Sequence, residues 1–84
     1  MWNDRIARAV NQLKLTQPKG AKYEIVDNDD FLVLRLDSEA LYRMHHDQKI
    51  AAIQWFIKVQ KAIEGEGGVV VVLRTPIDDP DMQV

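Results

Sequence analysis

The residues best suited to chemistry stand side by side: His45, His46 and Asp47. Neutral imidazoles and a carboxylate bind divalent metals, and histidine moves protons near neutral pH. The spacing argues against both uses. Consecutive helical residues point about 100° apart, and the chain holds only 2 histidines and no cysteine, so no coordination shell closes. The triplet reads as a solvated helix junction, with Asp47 as the N-cap of the helix that follows. No metal and no cofactor is expected.

Other polar residues have structural readings too. Ser38 follows Asp37 and precedes Glu39, the pattern of a helix start rather than of a nucleophile with its base. Asp27-Asn28-Asp29-Asp30 has the composition of a calcium loop, but Phe31 stands at the third ligand position and no glycine follows, so a polar hairpin turn is the reading. Gly65-Glu66-Gly67-Gly68 lies after a helix and before a strand. A phosphate loop needs the reverse order, so that a helix N-terminus faces the anion. Arg35 and Arg74 read as strand-end solubilising residues. Nucleophile, base and oxyanion donor do not converge, and an enzyme is not expected.

The elements that would position these residues follow from periodicity. Ile6, Ala9, Val10 and Leu13 repeat at helical spacing from Asn3 to about Leu15, with Asn3 or Asp4 as cap. Pro18 and Gly20 mark a loop. Lys22–Asp27 and Phe31–Leu36 alternate as a hairpin around Asn28-Asp29. Tyr23, Ile25, Leu32, Leu34 and Leu36 fall on one of its faces, and Val26, Phe31, Val33 and Arg35 on the other. Residues 38–64 are helical by pattern, and one rod of that length, roughly 40 Å, is too long for so small a domain. A break near His45–Asp47 is predicted, leaving a short helix over 38–44 and a main one over 47–64. Gly65 is the predicted left-handed terminator. Val69–Arg74 is apolar on both faces, which predicts a central strand or one covered on both sides; its Val71 is assigned to the Leu32/Leu34 side and Val70 and Val72 to the opposite one.

The main helix carries two stripes. Ala52, Trp55, Phe56, Val59, Ala62 and Ile63 form a broad face that one sheet would cover. Ile50, Ile53 and Ile57 form a second, narrower stripe. The sheet's other face, with Val26, Phe31, Val33, Val70 and Val72, is apolar as well. The first helix has one narrow stripe and covers only one of these surfaces, so a patch is left over, large enough to mark an interaction site. A second copy of the chain is the simplest cover, because two-fold symmetry lets a patch bury itself.

The order α-β-β-α-α-β resembles that of type II KH domains, which bind single-stranded RNA or DNA and set a Gly-x-x-Gly loop between their paired helices. The residues standing there are His45-His46-Asp47-Gln48, without glycine and with an added carboxylate. What the resemblance implies is single-stranded nucleic-acid binding; without the glycine loop no binding residue is carried over, and the alternative contacts read from this chain are Arg43, Lys49 and the helix junction.

Composition bounds the rest. The 84 residues carry 11 basic and 13 acidic side chains, a net charge of −2. Setting aside Asp78, Asp79 and Asp81 leaves 11 basic against 10 acidic residues, so charge selects neither nucleic acid nor a basic partner. No basic segment precedes an apolar run at the N-terminus, and no apolar run spans a bilayer. The expectation is one α+β domain over 1–75, with a three-stranded sheet, an N-terminal helix and a long helix after the hairpin, and a disordered acidic tail over 76–84. Its expected role is a cytoplasmic, non-enzymatic, self-associating protein-interaction domain without membrane contact. A KH-like binder, or a small inhibitor of a larger assembly, are the alternatives.

Overall fold

A computed structural model describes residues 1–77. Its elements are α1 (Asp4–Lys14), β1 (Tyr23–Asp27), β2 (Leu32–Asp37), α2 (Ser38–Tyr42), α3 (His46–Gly65) and β3 (Val70–Thr75). The order is α-β-β-α-α-β and the class α+β, as the periodicities predict. The acidic tail lies outside the described residues from Asp78 on.

Local chemistry sets most boundaries. The Asn3 side chain accepts the Ile6 N–H at 3.0 Å and starts α1, and Asp37 accepts the Glu39 and Ala40 N–H groups at 3.0 and 3.3 Å and starts α2. Each side-chain oxygen satisfies first-turn amides that have no partner inside the helix. The predicted break falls between Tyr42 and His46, but α3 starts one residue earlier than expected: His45 is its N-cap and makes no side-chain bond, so Asp47 lies inside the first turn instead of capping it. The glycine terminator also differs. Helix α3 runs through Gly65, and the left-handed residue is Gly67 at φ 85°. The Gly67 N–H bonds the Glu64 carbonyl at 3.0 Å and the Gly68 N–H bonds the Ile63 carbonyl at 2.9 Å, the paired bonds of a Schellman ending.

In the hairpin, Tyr23 pairs with Leu36, Ile25 with Leu34 and Asp27 with Leu32. The turn is Asn28–Phe31, closed by the Asn28 N–H on the Phe31 carbonyl at 2.9 Å. The register is two residues longer than a two-residue turn would give, so every side chain keeps its predicted face.

The sheet order is β1-β2-β3, with β2 and β3 parallel. The hairpin takes one edge of β2 and the helical crossover delivers β3 to the other, so β2 is the central strand. Its Leu32, Leu34 and Leu36 are buried. Strand β3, predicted to be central or covered, lies at the edge. Its faces are also reversed from the prediction: Val70 pairs with Leu32 and Val72 with Leu34, while Val71 pairs with Val33 and Leu73 with Arg35. Val70 and Val72 therefore look toward the helices, and Val71 and Leu73 share the far face with Val26 and Val33.

Both long helices lie on the Leu32/Leu34/Leu36 face. Ile6 and Val10 of α1 and Trp55, Phe56, Val59 and Ile63 of α3 join those leucines in one core. Helix α1 thus covers neither of the surplus surfaces predicted for it. The result is a slab one helix layer and one sheet layer thick, with extents of 34 × 33 × 17 Å.

Candidate interaction surface

Helix α1 is tied to the β1 side of this slab. The Met1 ammonium and the Trp2 N–H reach the Asp27 carboxylate at 3.3 and 3.2 Å. A cleft of about 460 Å³ remains between α1 and β1, lined by Trp2, Val10, Lys14, Tyr23, Ile25 and Asp27. At its far end the Trp55 indole N–H bonds the Leu13 carbonyl at 2.8 Å, and Tyr23 meets the Trp55 ring edge to face with centroids 5.1 Å apart. Burial pushes the Tyr23 phenol upward from its ordinary pKa. The Asp27 carboxyl is held below its ordinary range, chiefly by the Trp2 N–H; desolvation opposes this, and the Met1 ammonium and the Asp29 N–H add smaller lowering contributions.

Trp55 marks the flank of α3 that meets α1. At about 100° per residue, Ile53, Ile57 and Ile50 fall on the opposite flank, above the β3 side of the sheet. Ile50 is 42% and Ile57 40% exposed, while Ile53 is half-buried. The isoleucine stripe is where the sequence puts it, and no described element covers it.

Beneath that flank lies β3. The Leu32 N–H bonds the Val69 carbonyl at 2.8 Å. With Leu32 opposite Val70, a parallel ladder turns the amide groups of Val69, Val71 and Leu73 toward β2 and those of Val70, Val72 and Arg74 outward. Among the described residues no strand pairs with that outer edge. Side chains there are open too. Val72 faces the helices yet remains 36% exposed, and Val71 and Leu73 on the far face are 42% and 37% exposed. Val72 is thus left partly open on the helix side of the edge.

Among the described residues no helix lies on the far face of the sheet. Val26, Val71 and Leu73 are exposed on it, with Val33 and Arg35 half-buried between. Phe31, just before β2, is half-buried as well. The Arg35 Nε is buried without a hydrogen-bond partner among the described residues. Of the predicted sheet patch, then, Val33 and Phe31 stay together on one side, and Val70 and Val72 belong to the other. Val71, Leu73 and Val69 replace them as exposed apolar residues. Alternation cannot find them in an unbroken valine run, because a one-residue change of register exchanges the two faces without changing their apolar character.

The alternative contacts are not gathered into one groove. Arg43 lines an open cleft of about 800 Å³ with Lys19, Lys22, Gln48 and the acidic Asp37 and Glu39. Lys49 instead lies over the Tyr42 ring, 5.4 Å from its centroid. His45 and His46 are exposed. Among the described residues no three His, Asp or Glu side chains converge as metal donors, and no helix is long and apolar enough to cross a membrane. Comparison with family models, with curated proteins and with solved structures returns no match to this chain.

Proposed function

We infer that this chain is a non-enzymatic protein-interaction domain that works by associating with itself. The observation that carries the reading is β3: an edge strand of valines and leucine, each of Val71, Val72 and Leu73 more than a third exposed. Natural edges are blunted by charge, proline, bulges or a covering element, and residues 70–73 bring none of these. An uncovered strand of this kind promotes association, and a domain that keeps one without aggregating needs a regular partner for it. A reducing, cytoplasmic setting suits the absence of cysteine.

The test is mass in solution by size-exclusion chromatography with light scattering, from about 1 μM to about 1 mM, the range that brackets weak and moderate dimers. Concentration-dependent growth above 9.7 kDa is expected. A monomer across the whole range rejects self-association.

A second reading, single-stranded nucleic-acid binding, draws on Lys19, Lys22 and Arg43 meeting in one cleft. Its signature is salt-dependent anisotropy of a labelled oligonucleotide. No change at low salt removes it.

A further inference from the structure

We propose that the partner is a second copy of this chain, joined edge to edge through antiparallel pairing of β3 with β3, so that two three-stranded sheets become one of six strands and the two α3 helices meet along their isoleucine flanks. This deepens the self-association reading and rests on it.

The geometry follows from symmetry. Side-by-side antiparallel strands of identical chains are related by a two-fold axis perpendicular to the sheet. That operation keeps both helical layers on the same side. It sets each α3 beside the other, antiparallel, with the flank remote from α1 innermost. Ile50, Ile53 and Ile57 occupy that flank. Val72, 36% exposed on the helix side, then lies beneath the helix pair in both copies, and the isoleucines close over it. A helix seated directly over the edge strand would clash with its symmetry mate, since paired strands stand about 4.8 Å apart and packed helices about 8–10 Å.

The edge is self-complementary. Only even-numbered residues point their amides outward, so an antiparallel pair must match even with even. Centring on Val72 uses the strand most fully: Val72 faces the second copy's Val72, and Val70 faces the second copy's Arg74. No like charges meet. Centring one or two residues away leaves outward amides unpaired.

The area is small. Val72, Ile50 and Ile57, the exposed apolar side chains on the edge and the facing helix flank, offer roughly 200 Å² per copy, and Val71 and Leu73 lose only their edge-facing sides because the far face stays bare. With backbone and a polar rim the total stays below about 1,200 Å², the range of weak interfaces. A weak, concentration-dependent dimer is therefore expected, and the concentration series is suited to it.

The experiment uses the full chain, the wild type and three variants, with fold checked by circular dichroism. Val72→Pro removes an outward N–H while leaving the β2 ladder intact. Ile57→Glu puts charge into the helix pair without touching the strand, and decides the matter if the proline variant unfolds. Both are expected to stay folded and to weaken dimerisation at least ~10-fold. Val72→Cys, in a chain with no other cysteine, is expected to give a covalent dimer on mild oxidation, because directly opposed strand residues lie within disulfide reach. A wild-type dimer that survives Val72→Pro and Ile57→Glu and does not cross-link overturns the edge geometry and leaves self-association standing. A monomeric wild type overturns both.

Discussion

The indole N–H of Trp55 donates to the carbonyl oxygen of Leu13 at 2.8 Å, joining the middle of α3 to the last turn of α1. The same carbonyl accepts the Thr16 N–H and hydroxyl, each at 3.0 Å. Trp55 is 4% exposed, so the bond lets a large ring be buried without an orphaned donor. It also fixes which flank of α3 faces α1, and hence which is left free.

Replacing this side chain separates packing from polarity. Trp55→Phe keeps an aromatic ring and loses the donor and part of the volume, and is expected to cost about 1–2 kcal/mol. Trp55→Ala is expected to cost about 3–5 kcal/mol. Urea midpoints measure both. Equal losses would mean that the ring kept by phenylalanine contributes nothing to packing at this site.

The three glycines after Glu64 should respond in opposite directions. A Cβ on Gly68 would lie 2.5 Å from Ile63 Cγ2 and 3.0 Å from the Ile63 carbonyl oxygen, so Gly68→Ala should destabilise by about 1–3 kcal/mol. Gly67 holds φ 85°, and Gly67→Ala should cost about 1–2 kcal/mol for the left-handed conformation. Gly65 is helical with nothing within 4 Å of its added Cβ; Gly65→Ala should gain about 0.5 kcal/mol. Thermal melts of the three variants check the order.

Asp27 gives stability an acid limb. Its folded-state pKa is lowered, first by the Trp2 N–H and then by the Met1 ammonium and the Asp29 N–H. A depressed carboxyl stabilises the fold above its unfolded pKa, and the contribution is lost as pH falls through the lower, folded value. The loss should therefore come below about pH 4. Asp27→Asn is expected to flatten this part of the profile and leave the rest unchanged. Urea midpoints across the acid range show it; an unaltered acid limb would contradict the assignment.

The two central helices begin unequally. Asp37 is 7% exposed and caps α2 with two hydrogen bonds, so Asp37→Ala should lose about 1–2 kcal/mol. His45 caps α3 without a side-chain bond. His45→Asp supplies an acceptor and a negative charge at a helix N-terminus, and should gain about 1 kcal/mol. Denaturant titration measures both. A loss on His45→Asp would show that the imidazole makes a contribution the geometry does not contain.

Features whose causes are local were legible in the residues themselves. Asn3 and Asp37 cap the helices they precede, the break between α2 and α3 falls near His45, and Tyr23, Ile25, Leu32, Leu34 and Leu36 share a face, because capping, helix length and strand alternation each act within a few residues. Ile50, Ile53 and Ile57 were legible as a second stripe for the same reason. The tertiary structure alone decided where β3 lies, which way it faces and what α1 covers. Val69 to Leu73 is apolar without alternation, so either facing buries similar side chains and local pattern cannot choose. Position comes from β2, whose two edges are taken by a hairpin partner and a crossover strand, and facing from the register that sets Val70 opposite Leu32 and Val72 opposite Leu34. Helix α1 then packs beside α3 over the same leucines, where Leu13 receives Trp55, and no other described element lies on the far face of the sheet or along the outer edge of β3.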